Sequence, residues 1–114
     1  MPAGTHNIII EKGASFDLAL TVEQPAGTPL DISNHTIRGQ VRRDLYEPTI
    51  NATFVATKPG GGTDGKFVVT ILPADTDTMI SGMNVYDIEL EENSTGVIMR
   101  LLEGRADVRE GVTK

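Results

Sequence analysis

Cysteine and tryptophan are absent from this 114-residue chain. Without cysteine there is no disulfide scaffold, no thiolate zinc site and no cysteine nucleophile. The aromatic residues are Phe16, Phe54, Phe67, Tyr46 and Tyr86, too few for large stacking platforms that hold bases or sugars. Two histidines, His6 and His35, cannot by themselves make a His-rich metal site. Positive charge is also short. Ten Lys and Arg face sixteen Asp and Glu, and the net charge of −6 argues against a nucleic-acid backbone as partner. No apolar run approaches the roughly 18 residues that would suggest a membrane helix. The opening, MPAGTHN, lacks a basic region followed by an apolar stretch, so no secretory signal is read there.

What is present is a period of two. Phe16, Leu18, Leu20 and Val22 alternate with polar neighbours, which places one face in a core and the other in water. The same pattern runs through Ile37, Gly39 and Val41, then Ile50, Ala52, Phe54 and Ala56, then Phe67, Val69 and Ile71, then Tyr86, Ile88 and Leu90. Residues 97–102 are apolar on both parities apart from Arg100, which suggests the middle of a sheet, and Val97 and Met99 join the expected core. Shorter candidates lie at residues 8–11 and 106–109. Gly, Pro, Asn and Asp separate many of these runs. The reading is an all-β, antiparallel β-sandwich of about seven to eight strands. One segment differs: residues 74–81 read as a short helical turn, with Asp75 and Asp77 as candidate N-caps and Gly82 as its stop. The expected organisation is a flexible arm at 1–7, the sandwich at 8–110 and a tail at 111–114.

Candidate chemistry is sparse. Residues 60–66 match the first seven positions of a phosphate-binding loop, but Phe67 replaces the required Ser or Thr and a strand follows instead of a helix. A flexible loop is the better reading. Asp75, Asp77, Asp87 and Asn84 could gather around calcium, but capping and turn formation explain them more simply. His35 reads as a solvent-exposed turn histidine, and Glu89 and Glu91 as solvent-facing strand residues. No catalytic, metal or cofactor site is therefore assigned, and the expectation is that the chain is not an enzyme.

Arg38 and Arg42 share the strand face opposite the core, placed to pair with Glu89 and Glu91 or to meet a partner. Arg38, Arg42, Arg43 and Tyr46 form the candidate interface, since Arg and Tyr are enriched at interfaces. Tyr86 follows the helical turn at the start of a strand, where a hydroxyl can bond back to the preceding corner.

The order of several segments resembles a known family. Residues 7–16 (NIIIEKGASF) are followed by GTPLDISN at 27–34 and TIRGQVR at 36–42. LPADT at 72–76, VYDIEL at 85–90 and LLEGRADV at 101–108 complete the series. This is similar to the small Ig-like β-sandwich structural proteins of tailed-bacteriophage virions, such as the N-terminal domain of baseplate upper proteins. The family often has Leu-Thr-Gly where this chain has Ile32-Ser33-Asn34, and an aromatic where it has Asn84. The resemblance implies a non-enzymatic tail or baseplate component located in the virion and assembled in the host cytoplasm. Its partners would be other virion proteins, bound as a symmetric homo-oligomer or in multiple copies, with no nucleic acid and no membrane. A capsid decoration protein and a free carbohydrate-binding or adhesive module are the alternatives.

Overall fold

A computed structural model describes residues 4–24, 27–46 and 49–112. The strands are β1 (Gly4–Thr5), β2 (Ile8–Glu11), β3 (Phe16–Thr21), β4 (His35–Arg42) and β5 (Ala52–Thr53). They continue with β6 (Val55–Thr57), β7 (Lys66–Ile71), the helix α1 (Pro73–Asp77), β8 (Gly82–Glu92) and β9 (Ile98–Arg109). The larger sheet has the order β1-β9-β8-β4-β5, with β2 also paired to β9. The smaller one has the order β3-β7-β6. The two sheets make a sandwich with Ig-like connectivity. β3, β7 and β6 stand as strands B, E and D, and β4, β8 and β9 as C, F and G. The leading strand departs from the constant-type arrangement, in which it sits beside B. Here β1 and β2 run parallel to β9, with Gly4 opposite Leu102 and Ile8 opposite Ala106.

The alternation places the core as expected in the middle of the sandwich. Val41, Ile88, Phe67, Val69 and Ile71 are all essentially inaccessible. Each such side chain contributes about 1.5–3 kcal/mol on full burial. Ile10, Ile32, Met79 and Val108 join them from the margins of the fold. Val97 and Met99 do not: they are 61% and 37% exposed. Among the described residues, pairing on the outer edge of β9 begins at Leu102, where β1 joins.

Three further expectations are corrected. The single strand at 50–56 is two. β5 pairs with β4 in one sheet and β6 with β7 in the other, so the chain changes sheets at Phe54. Alternation continues through the crossing because Phe54 faces the core on both sides of it. The candidates at 97–102 and 106–109 belong to one long strand, β9, which runs without a break from Ile98 to Arg109 and shifts register with β8 at Leu101, opposite Ile88 and Glu89. The glycine-rich loop is not free. Gly62 and Gly65 are buried, Gly62 O accepts from Ile32 N–H and Gly65 O from Val22 N–H, and the Lys58 ammonium donates to the His35 carbonyl.

The helix α1 spans residues 73–77 rather than 74–81. Leu72 is its N-cap without a capping side chain, and Pro73 starts it at a position that needs no N–H. Asp75 lies inside the first turn and Asp77 ends the helix, so neither is an N-cap. Thr78 is the C-cap, and Gly82 instead opens β8. The fully buried Thr76 fixes the helix to the fold, donating its hydroxyl to Ala14 O at 2.8 Å and accepting Gly13 N–H at 3.1 Å. Pairing also begins earlier than residue 8. Gly4 and Thr5 lie in β1, and His6 N–H donates to Glu103 O at 3.0 Å.

Candidate docking surface

The outer face of the larger sheet is built by the polar half of the alternation. β8 contributes Asp87, Glu89 and Glu91 in a row. On one side lie Arg38 and Gln40 of β4, and on the other Arg100 and Glu103 of β9. Arg38 reaches both Glu89 and Glu91 at 3.6 Å, so the cross-strand pairing expected from sequence is present. Arg100 reaches Asp87 at 3.4 Å and Glu89 at 3.8 Å. Both arginine side chains remain about half exposed, so these pairs add little individually. Asp87 is held above the usual carboxylate range by burial and by neighbouring Glu89, against the opposing pull of Arg100. The surface forms an open concavity of about 860 Å³, with Asp44 and Leu45 on its rim.

The loop after β4 carries apolar side chains into water. Leu45 is 81% exposed and Tyr46 91%. Tyr46 N–H donates to the Asp44 carboxylate at 2.8 Å, an Asx-type turn that shapes the tip. The far side of the loop is anchored. Asn51 donates to the buried Asn84 amide at 3.0 Å and accepts Ile80 N–H at 2.9 Å. Asn84, weighed as a calcium ligand, is thus committed to an amide network, while Asp87 lies on the opposite face of its strand. Among the described residues no group of three or more His, Asp or Glu could hold a metal.

The structure therefore places Arg42, Arg43 and Tyr46 together at one end of β4. Arg42 also donates to Gln40 at 2.9 Å, whereas Arg43 is exposed. Arg38 lies farther along the strand and is engaged with two glutamates. Leu45 was missed because a lone leucine in a turn has no periodic signal; its position between Asp44 and Tyr46 was the available clue. His35 is not a solvent-exposed turn residue. It opens β4, half-buried, with its Nδ1 buried and unpartnered.

Tyr86 bonds elsewhere than expected. Its hydroxyl donates to the carbonyl of His6 in the N-terminal segment, not to the preceding corner. Burial pushes its pKa up to about 12. Because the folded-state value exceeds that of an unfolded tyrosine, near 10, folding favours the neutral phenol. That contribution is complete below pH 10 and is lost as pH rises from about 10 towards 12. Tyr86→Phe is expected to cost about 1–2 kcal/mol at pH 8, because the part-buried His6 carbonyl loses its donor. The gap between wild type and variant should narrow at pH 11 in urea titrations, and a gap that widens with pH contradicts the assignment.

Neither a protein-family model nor a curated protein sequence matches this chain.

Proposed function

We propose that this chain is a non-enzymatic docking module whose partner binds the loop after β4 and the adjoining rim of the charged face. The observation that carries the reading is the near-complete exposure of Leu45 and Tyr46 beside the exposed Arg43, on a loop anchored by Asn51. Aromatic and arginine side chains of this kind supply most of the energy when an interface closes over them. Along the outer sheet, Arg38 and Arg100 are already paired with the acidic row, so that face supports complementarity around the anchor more than affinity.

The finer proposal is a bacteriophage virion component at the tail or baseplate, supported by the ordered series of segments that resembles that family. Repeated copies on a symmetric particle would turn modest contacts into avidity. Mass spectrometry of particles separated into heads and tails tests this, with the chain expected in tails. Recovery with heads would favour the decoration alternative, and absence from both would overturn the virion reading. Within assembling particles, Tyr46→Ala combined with Arg43→Glu is expected to reduce incorporation about tenfold or more. The same substitutions should leave unfolding within about 0.5 kcal/mol of wild type. Normal incorporation of this variant would remove the loop from the interface. Tyr46 also gives the carbohydrate-binding alternative its one strongly exposed aromatic, and a glycan array with no specific signal is the result expected here.

A further inference from the structure

The smaller sheet has an unprotected edge. Among the described residues β3 pairs only with β7, and none of its own residues is fully buried. Its inward side chains Phe16, Leu18 and Leu20 are only half-buried, although their partners Ile71, Val69 and Phe67 on β7 are almost completely inaccessible. The leading strand that would lie beside β3 in a constant-type sandwich is paired to β9 instead. A mostly apolar gap of about 260 Å³ lies next to Leu20, bounded by Val22, Phe67, Leu101 and Leu102, with Glu23 and Arg100 also on its lining.

The backbone of β3 is prepared for another strand. Val22 N–H bonds to Gly65 O, which continues the register of β3 with β7. Antiparallel pairs alternate, so Phe16, Leu18 and Leu20 bond inward to β7. Asp17, Ala19 and Thr21 therefore turn their N–H and C=O groups to the open side, and their side chains are exposed. The strand carries no lysine, proline or bulge, and its one charged side chain is Asp17.

We infer that β3 is a homodimer edge, pairing antiparallel with β3 of a second copy about a twofold axis at Leu18. This register places Leu18 opposite the partner's Leu18, and Phe16 opposite the partner's Leu20. All inward pairs are then apolar, and the partner's Phe16 stands at the mouth of the gap beside Leu20. On the outer side Asp17 faces the partner's Ala19, and Thr21 faces the partner's Ser15. No like charges oppose each other, and the bonded pairs use the groups of Asp17, Ala19 and Thr21 that point to the open side. This complementarity of the strand with itself selects a second copy over an unrelated strand. The surface is separate from the loop after β4, so the dimer and the docking reading stand or fall independently.

Analytical ultracentrifugation of the full chain tests the inference. Wild type is expected to dimerise below a millimolar. Ala19→Glu sets a carboxylate against the partner's Asp17 twice in the dimer and should weaken it about tenfold, whereas Ala19→Lys should dimerise at least as well as wild type. Leu18→Cys, in a chain with no other cysteine, should form a disulfide-linked dimer in glutathione disulfide, since the paired positions would be about 4.5 Å apart at Cα. A wild type that stays monomeric up to roughly a millimolar overturns the proposal. So does equal weakening by Glu and Lys at position 19, or a Leu18→Cys chain that folds but does not cross-link.

Discussion

Phe54→Ala is expected to destabilise the domain by about 3–5 kcal/mol, the largest single effect foreseen for a side chain here. Phe54 is 5% exposed and lies between two other rings, with centroids 6.1 Å from Phe16 and 6.1 Å from Tyr86. It also sits where the chain leaves one sheet for the other, and its N–H donates to Gly39 O at 2.9 Å. Removal leaves a cavity that neither sheet can fill without moving the crossing itself. The ring occupies the space above Gly39, where a methyl carbon would come within 2.8 Å of Phe54 Cδ2 and 2.7 Å of Asp87 O. Gly39→Ala should therefore cost less in a Phe54→Leu background than alone, by about 1 kcal/mol in a double-mutant cycle. Urea denaturation measures all four corners. A loss below about 1 kcal/mol for Phe54→Ala would mean that the aromatic trio is not the centre of the core.

Gly104→Ala is expected to cost about 2–3 kcal/mol and to loosen the N-terminal strands. A methyl group at Gly104 would overlap the backbone carbonyl of His6. That carbonyl also receives the Tyr86 hydroxyl, while Asn7 Oδ1 accepts Arg105 N–H at 3.0 Å. The obstacle is thus main chain held from two sides, with no flexible side chain to swing away. Movement of β1 and β2 would uncover Ile8 and Ile10, both buried. Hydrogen exchange should report the change first at the His6 and Arg105 amides. Unchanged protection at both amides, with wild-type stability, would contradict this account.

Much of the sandwich was legible because a half-buried strand must repeat every second residue. The partnership of Arg38 with Glu89 and Glu91 followed from the same rule, since both strands put their polar residues on one face. What escaped depends on neighbours that the pattern does not encode. Alternation runs unbroken through Phe54, so the change of sheet left no trace. Val97 and Met99 carry the oily side chains of a core strand, yet both stand partly in water, and among the described residues the outer edge of β9 is paired only from Leu102 on. Ile32 and Met79 are fully buried from irregular segments, where no period exists to mark them. The partner of Tyr86 is 80 residues away in sequence, beyond any local signal. For the docking surface, residue type identified Arg43 and Tyr46, but only the fold shows that Leu45 stands in water beside them.

The parallel pairing of β2 with β9 also has a mechanical consequence. Ile8 meets Ala106 at one end of the pair, and Glu11 meets Arg109 at the other. The incoming chain thus arrives at one pole and the outgoing chain departs from the opposite pole. Tension between them runs along both strands and strains their ladder in shear, all rungs together, instead of peeling it open one rung at a time. The smaller sheet lies outside this line of force, so a tethered copy would hold its load through the first and last strands.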